Sequence, residues 1–221
     1  MIPRIQRQET PTVSDSQAPQ VDRTARERLL TSAARLFARK GYAATTVREI
    51  VTEAGVTKPV LYYYFRNKEG LYAEILHNVS VRYGQLLDQA QQSKGTVVNR
   101  LLTMADQVLA LFLEQIEVAR LAYAIYYGPP QGAPPYDFDA YHLKFHRLVT
   151  ELVQTGVTNR EFRQGRTEDI TWMVLGAVNV ALEIQLSHPE MGLGRQGLRR
   201  VLTLLFKGLK EVRCTERKKR K

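Results

Sequence analysis

Lys58, Tyr62, Tyr63, Tyr64 and Lys68 crowd into one segment, TTVREIVTEAGVTKPVLYYYFRNKEGL, from Thr45 to Leu71. Ammonium groups and phenol hydroxyls at that density suit phosphate oxygens and base edges. Lys58 can donate to guanine or to a phosphate. Val60 offers methyls to a thymine methyl, and Pro59 adds apolar contact. At least one or two of the three tyrosines are expected to reach phosphates. Lys68 stands at the start of a further helix, whose free amides also attract a phosphate. Arg48 and Thr57, near the starts of the two preceding helices, complete the candidate contact set. Thr46 has a double reading, because its hydroxyl can cap a helix or bind phosphate.

A second group of residues suits a small molecule. Phe112, Tyr123, Tyr126, Tyr127 and Trp172 supply many rings and hydroxyls for one helical region. An apolar cavity with a few polar groups fits an aromatic or lipophilic ligand. The same residues also read as core with satisfied hydroxyls. Asn179 and Glu183 lie four apart on an apolar helix. They can meet a polar or cationic ligand group, or pair across a dimer axis. His142 and His146 share a helical face downstream of Asp137 and Asp139. Metal binding is conceivable there, but a pocket wall or a solvated face is the simpler reading, and no metal site is assigned. The chain shows no Gly-rich phosphate loop, nucleophile elbow or metal-ligand cluster, so neither catalysis nor a cofactor is expected.

These groups need helices to hold them. Strand signals are nearly absent, and the periodicity predicts an all-α chain of about nine helices. Thr24-Ala-Arg-Glu27 reads as a capping box opening a first helix to Lys40, with Leu29, Leu30, Ala33, Leu36 and Phe37 on one face and Gly41 as its left-handed stop. Thr46-Val-Arg-Glu49 is a second capping box, and that helix ends at Gly55. The third helix opens at Thr57, with Pro59 in its first turn, where a missing N–H costs little. Ile50, Val51, Val56, Leu61 and Phe65 need the first helix as a third wall. On the third helix, Lys58, Val60 and Tyr63 are expected to face outward. Asn67 caps a long fourth helix to about Gln92.

Further helices are predicted over about Val97–Gln115, Glu117–Tyr127, Tyr136–Thr155, Thr167–Leu186 and from Gly194 to about Val212. Gly128 to Pro135 must break the helical run, and Thr158–Arg166 reads as a polar loop. Thr167 is read as the cap of the most apolar helix. That helix and the last one, with Val201, Leu202, Leu204, Leu205 and Phe206, fit either a four-helix interface with a second copy or an intrachain core. The domain reading is an N-terminal arm over 1–21, a helix-turn-helix head over 22–70, a second helical domain over 71–213, to which the family resemblance given below assigns effector binding and dimerisation, and a basic tail over 214–221.

Hydrophobic residues make up 44% of the 221, enough for a sizeable core. Charge is uneven: residues 1–70 carry a balance of +5, residues 71–190 of −4 and residues 191–221 of +9, within the total of +10. Positive charge therefore accompanies the Lys58–Lys68 segment, as polyanion binding requires. The N-terminus lacks the apolar stretch of a secretory signal, no long apolar run suggests a membrane span, and the lone Cys214 can form no intrachain disulfide. A cytoplasmic protein is expected.

The Thr45–Leu71 segment, preceded by RERLLTSAARLFARKGY from Arg26 to Tyr42, resembles the signature of the TetR family of bacterial one-component repressors. The resemblance runs from Thr24 to Leu71. Pro59 departs from it, since many members carry glycine or alanine there, so the operator sequence does not carry over. The resemblance implies a homodimer on a palindromic DNA operator, dimerised through its last two long helices and released by a small effector. The expected function is a ligand-responsive transcriptional regulator, most simply a repressor. The alternative is a sequence-tolerant architectural DNA binder or an activator.

Overall fold

The computed structural model describes residues 20–128, 132–163 and 165–210. Among them are nine α-helices and no strand: α1 (Gln20–Lys40), α2 (Val47–Ala54), α3 (Lys58–Phe65), α4 (Lys68–Gln92), α5 (Val97–Glu114), α6 (Ile116–Tyr127), α7 (Asp139–Thr158), α8 (Thr167–Ser187) and α9 (Gly194–Leu209). One 3-10 turn, Pro189–Met191, joins the last two. The basic tail 214–221, Cys214 and all but the last two residues of the expected arm lie outside the described residues.

Local signals set most boundaries. The Thr46 side chain accepts from the Glu49 amide while Glu49 reaches back to the Thr46 amide, a complete capping box. Gly41 and Gly55 take φ of 82° and 63°, the left-handed stops that a side chain would strain. Asn67 Oδ1 accepts from the Gly70 amide at 2.6 Å and starts α4.

Four sequence expectations need correction. α1 begins at Gln20, so the pattern from Thr24 to Glu27 lies inside the helix rather than at its start. α7 begins at Asp139, three residues late, because the rings of Tyr136 and Phe138 pack together (centroids 4.9 Å apart) against the N-terminal core. Thr167 is the first helical residue rather than the cap. Its hydroxyl donates to Gln154 Oε1 at 2.7 Å and ties α8 to α7. The 158–166 stretch is not a purely polar loop: Phe162 is 1% exposed and stacks on Phe206 of α9 at 5.6 Å. Beside it the Glu161 carboxylate accepts from the amides of Val97 (3.0 Å) and Val98 (3.5 Å), serving the open end of α5.

Two cores result. The first gathers α1, α2 and α3 around Phe37, Ile50 and Leu61, and runs on past residue 70 into Leu71, Tyr72, Ile75 and Leu76 of α4 and Leu121 of α6. The second fills the space between α4, α5, α7, α8 and α9, with Leu101, Met104, Val149, Val174 and Leu202 at its centre. α4 belongs to both. α8 is long and apolar enough by length and composition to cross a membrane, but Val174 and Val178 are buried in the second core. Phe162 closes one end of that core, so Phe162→Ala should destabilise the fold by about 3–5 kcal/mol. Urea unfolding followed by circular dichroism checks this.

Candidate functional site

α3 is eight residues long and is pinned from behind by Leu61 and Phe65, both buried. Those two anchors leave the opposite face to solvent: Tyr63 is 79% exposed, and Tyr62, Lys58, Pro59 and Thr57 are exposed around it. Val60 differs from expectation. It is half-buried and packs against the N-terminal core, so only part of its surface can meet a base. Tyr64 is half-buried, with its ring 5.0 Å from that of Tyr63. Arg48 is exposed on the first turn of α2. The Thr46 hydroxyl is engaged in the capping box.

The expected phosphate clamp Lys68 has another occupation. Its ammonium donates to the carbonyls of Tyr42 (3.0 Å) and Thr45 (2.9 Å) and lies 4.1 Å from the centroid of the Tyr42 ring. Burial lowers its pKa. It therefore locks the start of α4 to the turn between α1 and α2, a positioning role invisible in the sequence. Thr45 completes the lock, with its buried hydroxyl donating to the Gly41 carbonyl at 2.8 Å. Arg28 adds a tie that the sequence reading also missed, donating from Nε to the Ala54 carbonyl at 3.0 Å at the end of α2. Lys40 pairs with Glu49, whose carboxyl is held at about 2 by that ammonium first and then by the Thr46 amide and hydroxyl. Arg66 closes α3 with φ of 63°, an uncommon conformation for a residue with a side chain, and redirects the chain into α4.

Behind the head lies a cavity of about 140 Å³. Phe112, Tyr123, Tyr126, Tyr127 and Asn179 line it, as expected, with Tyr83, Phe138, His142 and Phe145. Tyr83 sits between the rings of Phe112 (5.9 Å) and Phe145 (6.3 Å). Burial raises the Tyr83 phenol and pushes that of Tyr123 up to about 12, so both stay neutral hydroxyls. Tyr126 and Tyr127 are exposed and form the mouth, where the Tyr126 hydroxyl donates to Asp139 Oδ1 at 3.2 Å. Two expected residues do not line the cavity. Trp172 is 64% exposed and meets the His146 ring at 5.6 Å. It shares a face of α8 with Asn179 but lies two turns, about 10 Å, toward the start of the helix. Glu183 is one turn beyond Asn179 and exposed, though its charge raises the Tyr123 phenol. His142 is part of the cavity wall, while His146 is not. Tyr83 and Phe145 stand among mostly polar neighbours and far apart in the sequence, and only the packing of α4 on α7 brings them together.

Comparison with known proteins matches this geometry. Residues 29–75 fit the family model of bacterial regulatory proteins, tetR family. The HTH-type transcriptional repressor KstR2 of Mycolicibacterium smegmatis is 30% identical over 155 residues, covering 66% of this chain and 72% of the relative. The chain belongs to the TetR family. It is a DNA-binding transcriptional regulator, and the α2–α3 pair is the helix-turn-helix of that family. Among solved structures, the ketosteroid transcriptional regulator KstR2 of Mycobacterium tuberculosis superposes with a TM-score of 0.69 at 19% identity, over 85% of this chain and 95% of that one. FadR of Bacillus subtilis, solved with stearoyl-CoA, gives 0.58 at 17% identity, over 83% and 98%. These two share the fold.

The two lysines of the regulator's head should separate by experiment. Lys68→Met should lower stability by about 1–2 kcal/mol, since it strands two carbonyls. Lys58→Met should stay within about 0.5 kcal/mol, as an exposed substitution does. Chemical unfolding of the two variants side by side reads the difference.

Proposed function

We propose that two copies of this chain hold a palindromic operator and that a lipophilic or aromatic small molecule, bound in the cavity, releases them. The observation that carries this reading is the continuity of α4. One 25-residue helix begins at the Lys68 lock of the head and contributes Val79, Ser80 and Tyr83 to the cavity wall. Filling the cavity pushes on the same rod that orients α3. A release of about 100-fold needs only about 2.7 kcal/mol of coupling between the two sites.

On the DNA side, Lys58 and Pro59 at the start of α3 face the base edges, with the exposed part of Val60. Tyr62 and Tyr63, with Thr46, Arg48 and Thr57 along the rim, take phosphates. Tyr64 and Lys68 support them from behind. Residues 22–70 then act as the reading head and residues 71–213 as the sensing and dimerising part.

The pairing surface is the stripe left open on the last two helices. Met173 and Val180 on α8 and Val201 and Leu204 on α9 are exposed, and Leu204 is 69% so. Gly176 and Ala177 between them permit close approach. Exposed apolar stripes on adjacent helices suit a four-helix interface with a second copy. Two heads on such a dimer read half-sites about 34–36 Å apart.

Cavity size bears on the effector. A pocket near 150 Å³ accommodates a molecule of about one aromatic ring. The stearoyl-CoA found in FadR is far larger, so this regulator is proposed to answer to a compact molecule.

Titration of operator duplex at several salt concentrations tests the DNA assignment. The slope of log affinity against log salt should be about −5 to −9. Lys58→Ala should reduce the preference for operator over unrelated duplex, while Tyr63→Ala should weaken both alike. Unchanged binding in both variants would remove α3 from the interface. Leu204→Glu should yield a monomer in light scattering that no longer retains operator at dimer concentrations.

A further inference from the structure

We propose that the effector is a compact amine bearing positive charge, whose hydrophobic part fills the cavity while its ammonium sits among the rings at the mouth beside Asp139. This inference rests on the reading of the cavity as the effector site and deepens it. The mouth is built from ring faces. Tyr126 lies 4.8 Å from Tyr127 at 81° and 6.5 Å from Phe138 at 89°, so it meets each of these rings nearly at right angles, while the His142 imidazole stacks on it at 6.1 Å. The negative faces of such rings attract a cation, and the attraction grows as water is excluded. Asp139, exposed beside the mouth rather than in the lining, brings a carboxylate to its edge and accepts from the Tyr126 hydroxyl at 3.2 Å.

The charge balance around the cavity points the same way. No lysine or arginine among the described residues lines it. The cations nearest in sequence to its walls are committed elsewhere: Lys144 to Asp88 at 2.7 Å, and Arg82 to Glu114 at 2.9 Å. A carboxylate or phosphate entering here would leave water without an ammonium or guanidinium to receive it, which is costly. Glu183, exposed one turn beyond Asn179 and outside the lining, adds a further negative charge near Tyr123. The hydroxyls of Tyr83 and Tyr123 stay neutral and can accept hydrogen bonds from a protonated amine but cannot neutralise an anion.

Three probes matched in size separate charge from shape: phenethylamine, phenethyl alcohol and phenylacetate. Each carries one ring on a short tail, suited to a cavity of about 140 Å³. Isothermal titration calorimetry of the dimer at pH 8 should give phenethylamine an affinity at least about tenfold above phenylacetate, with the alcohol between them. Asp139→Asn should bring the ratio of amine to carboxylate to about threefold or less by weakening the amine alone. Tyr126→Leu, which removes a ring face, should also weaken the amine more than the alcohol. Phenylacetate binding as tightly as the amine overturns the proposal, and so does an Asp139→Asn variant that weakens all three probes alike. Alcohol binding with no advantage for the amine keeps the effector cavity and discards its charge preference. Binding by none of the three discards both.

Discussion

A lysine ammonium drawn half out of water must find oxygen acceptors, and Lys68 finds them in the carbonyls of Tyr42 and Thr45, with the Tyr42 ring beneath it. Everything in front of and behind the head depends on that lock. The turn between α1 and α2 carries α2, α2 fixes α3 through the Gly55 corner, and Lys68 begins α4. The aromatic cluster beneath it, Phe37, Tyr42 and Tyr72 with centroids 5.0 to 5.7 Å apart, fills the junction between α1, the turn that follows it and α4. The proposed release works through this junction, with α4 carrying the displacement to the reading face.

That arrangement lets one chain present two chemically different surfaces, a polar face and an apolar cavity. The exposed side of α3 is polar and aromatic because Leu61 and Phe65 take the buried side. The cavity is largely apolar because α4, α5, α6, α7 and α8 each present rings or aliphatic groups to it, and it opens at Tyr126 and Tyr127. At about 1.5 Å per residue, α4 spans roughly 37 Å and carries Lys68 at one end and Tyr83 past its middle. α4 is shared by both cores, and the family's helix-turn-helix lies at one end of it.

Much of this was legible in the sequence where the signal is local. The Thr46–Glu49 box, the stops at Gly41 and Gly55 and the Asn67 cap are each decided by neighbours a few residues apart, and the structure shows them as read. Errors arose where distant packing overrides a local pattern. Thr24 looked like a cap because the sequence does not reveal that the helix continues upstream. Tyr136 looked helical until its ring was needed against the N-terminal core. Phe162 looked like part of a polar loop because its partner, Phe206, is far along the chain. The same division holds at the sites. The exposure of Lys58 and Tyr63 follows from helical periodicity. The capture of Lys68 by two carbonyls, the half-burial of Val60 and the placement of Trp172 beyond the cavity follow from how helices cross.

The central claim is that α3 offers its outer face to DNA while α4 is sealed behind it. Lysine acetylation by acetic anhydride, read residue by residue by mass spectrometry with and without operator duplex, tests both halves at once. The account predicts that Lys58 reacts readily in the free protein and is silenced by DNA, while Lys68 reacts poorly in both states. A Lys58 that stays reactive at saturating duplex, or a Lys68 that acetylates as fast as Lys58, would contradict it.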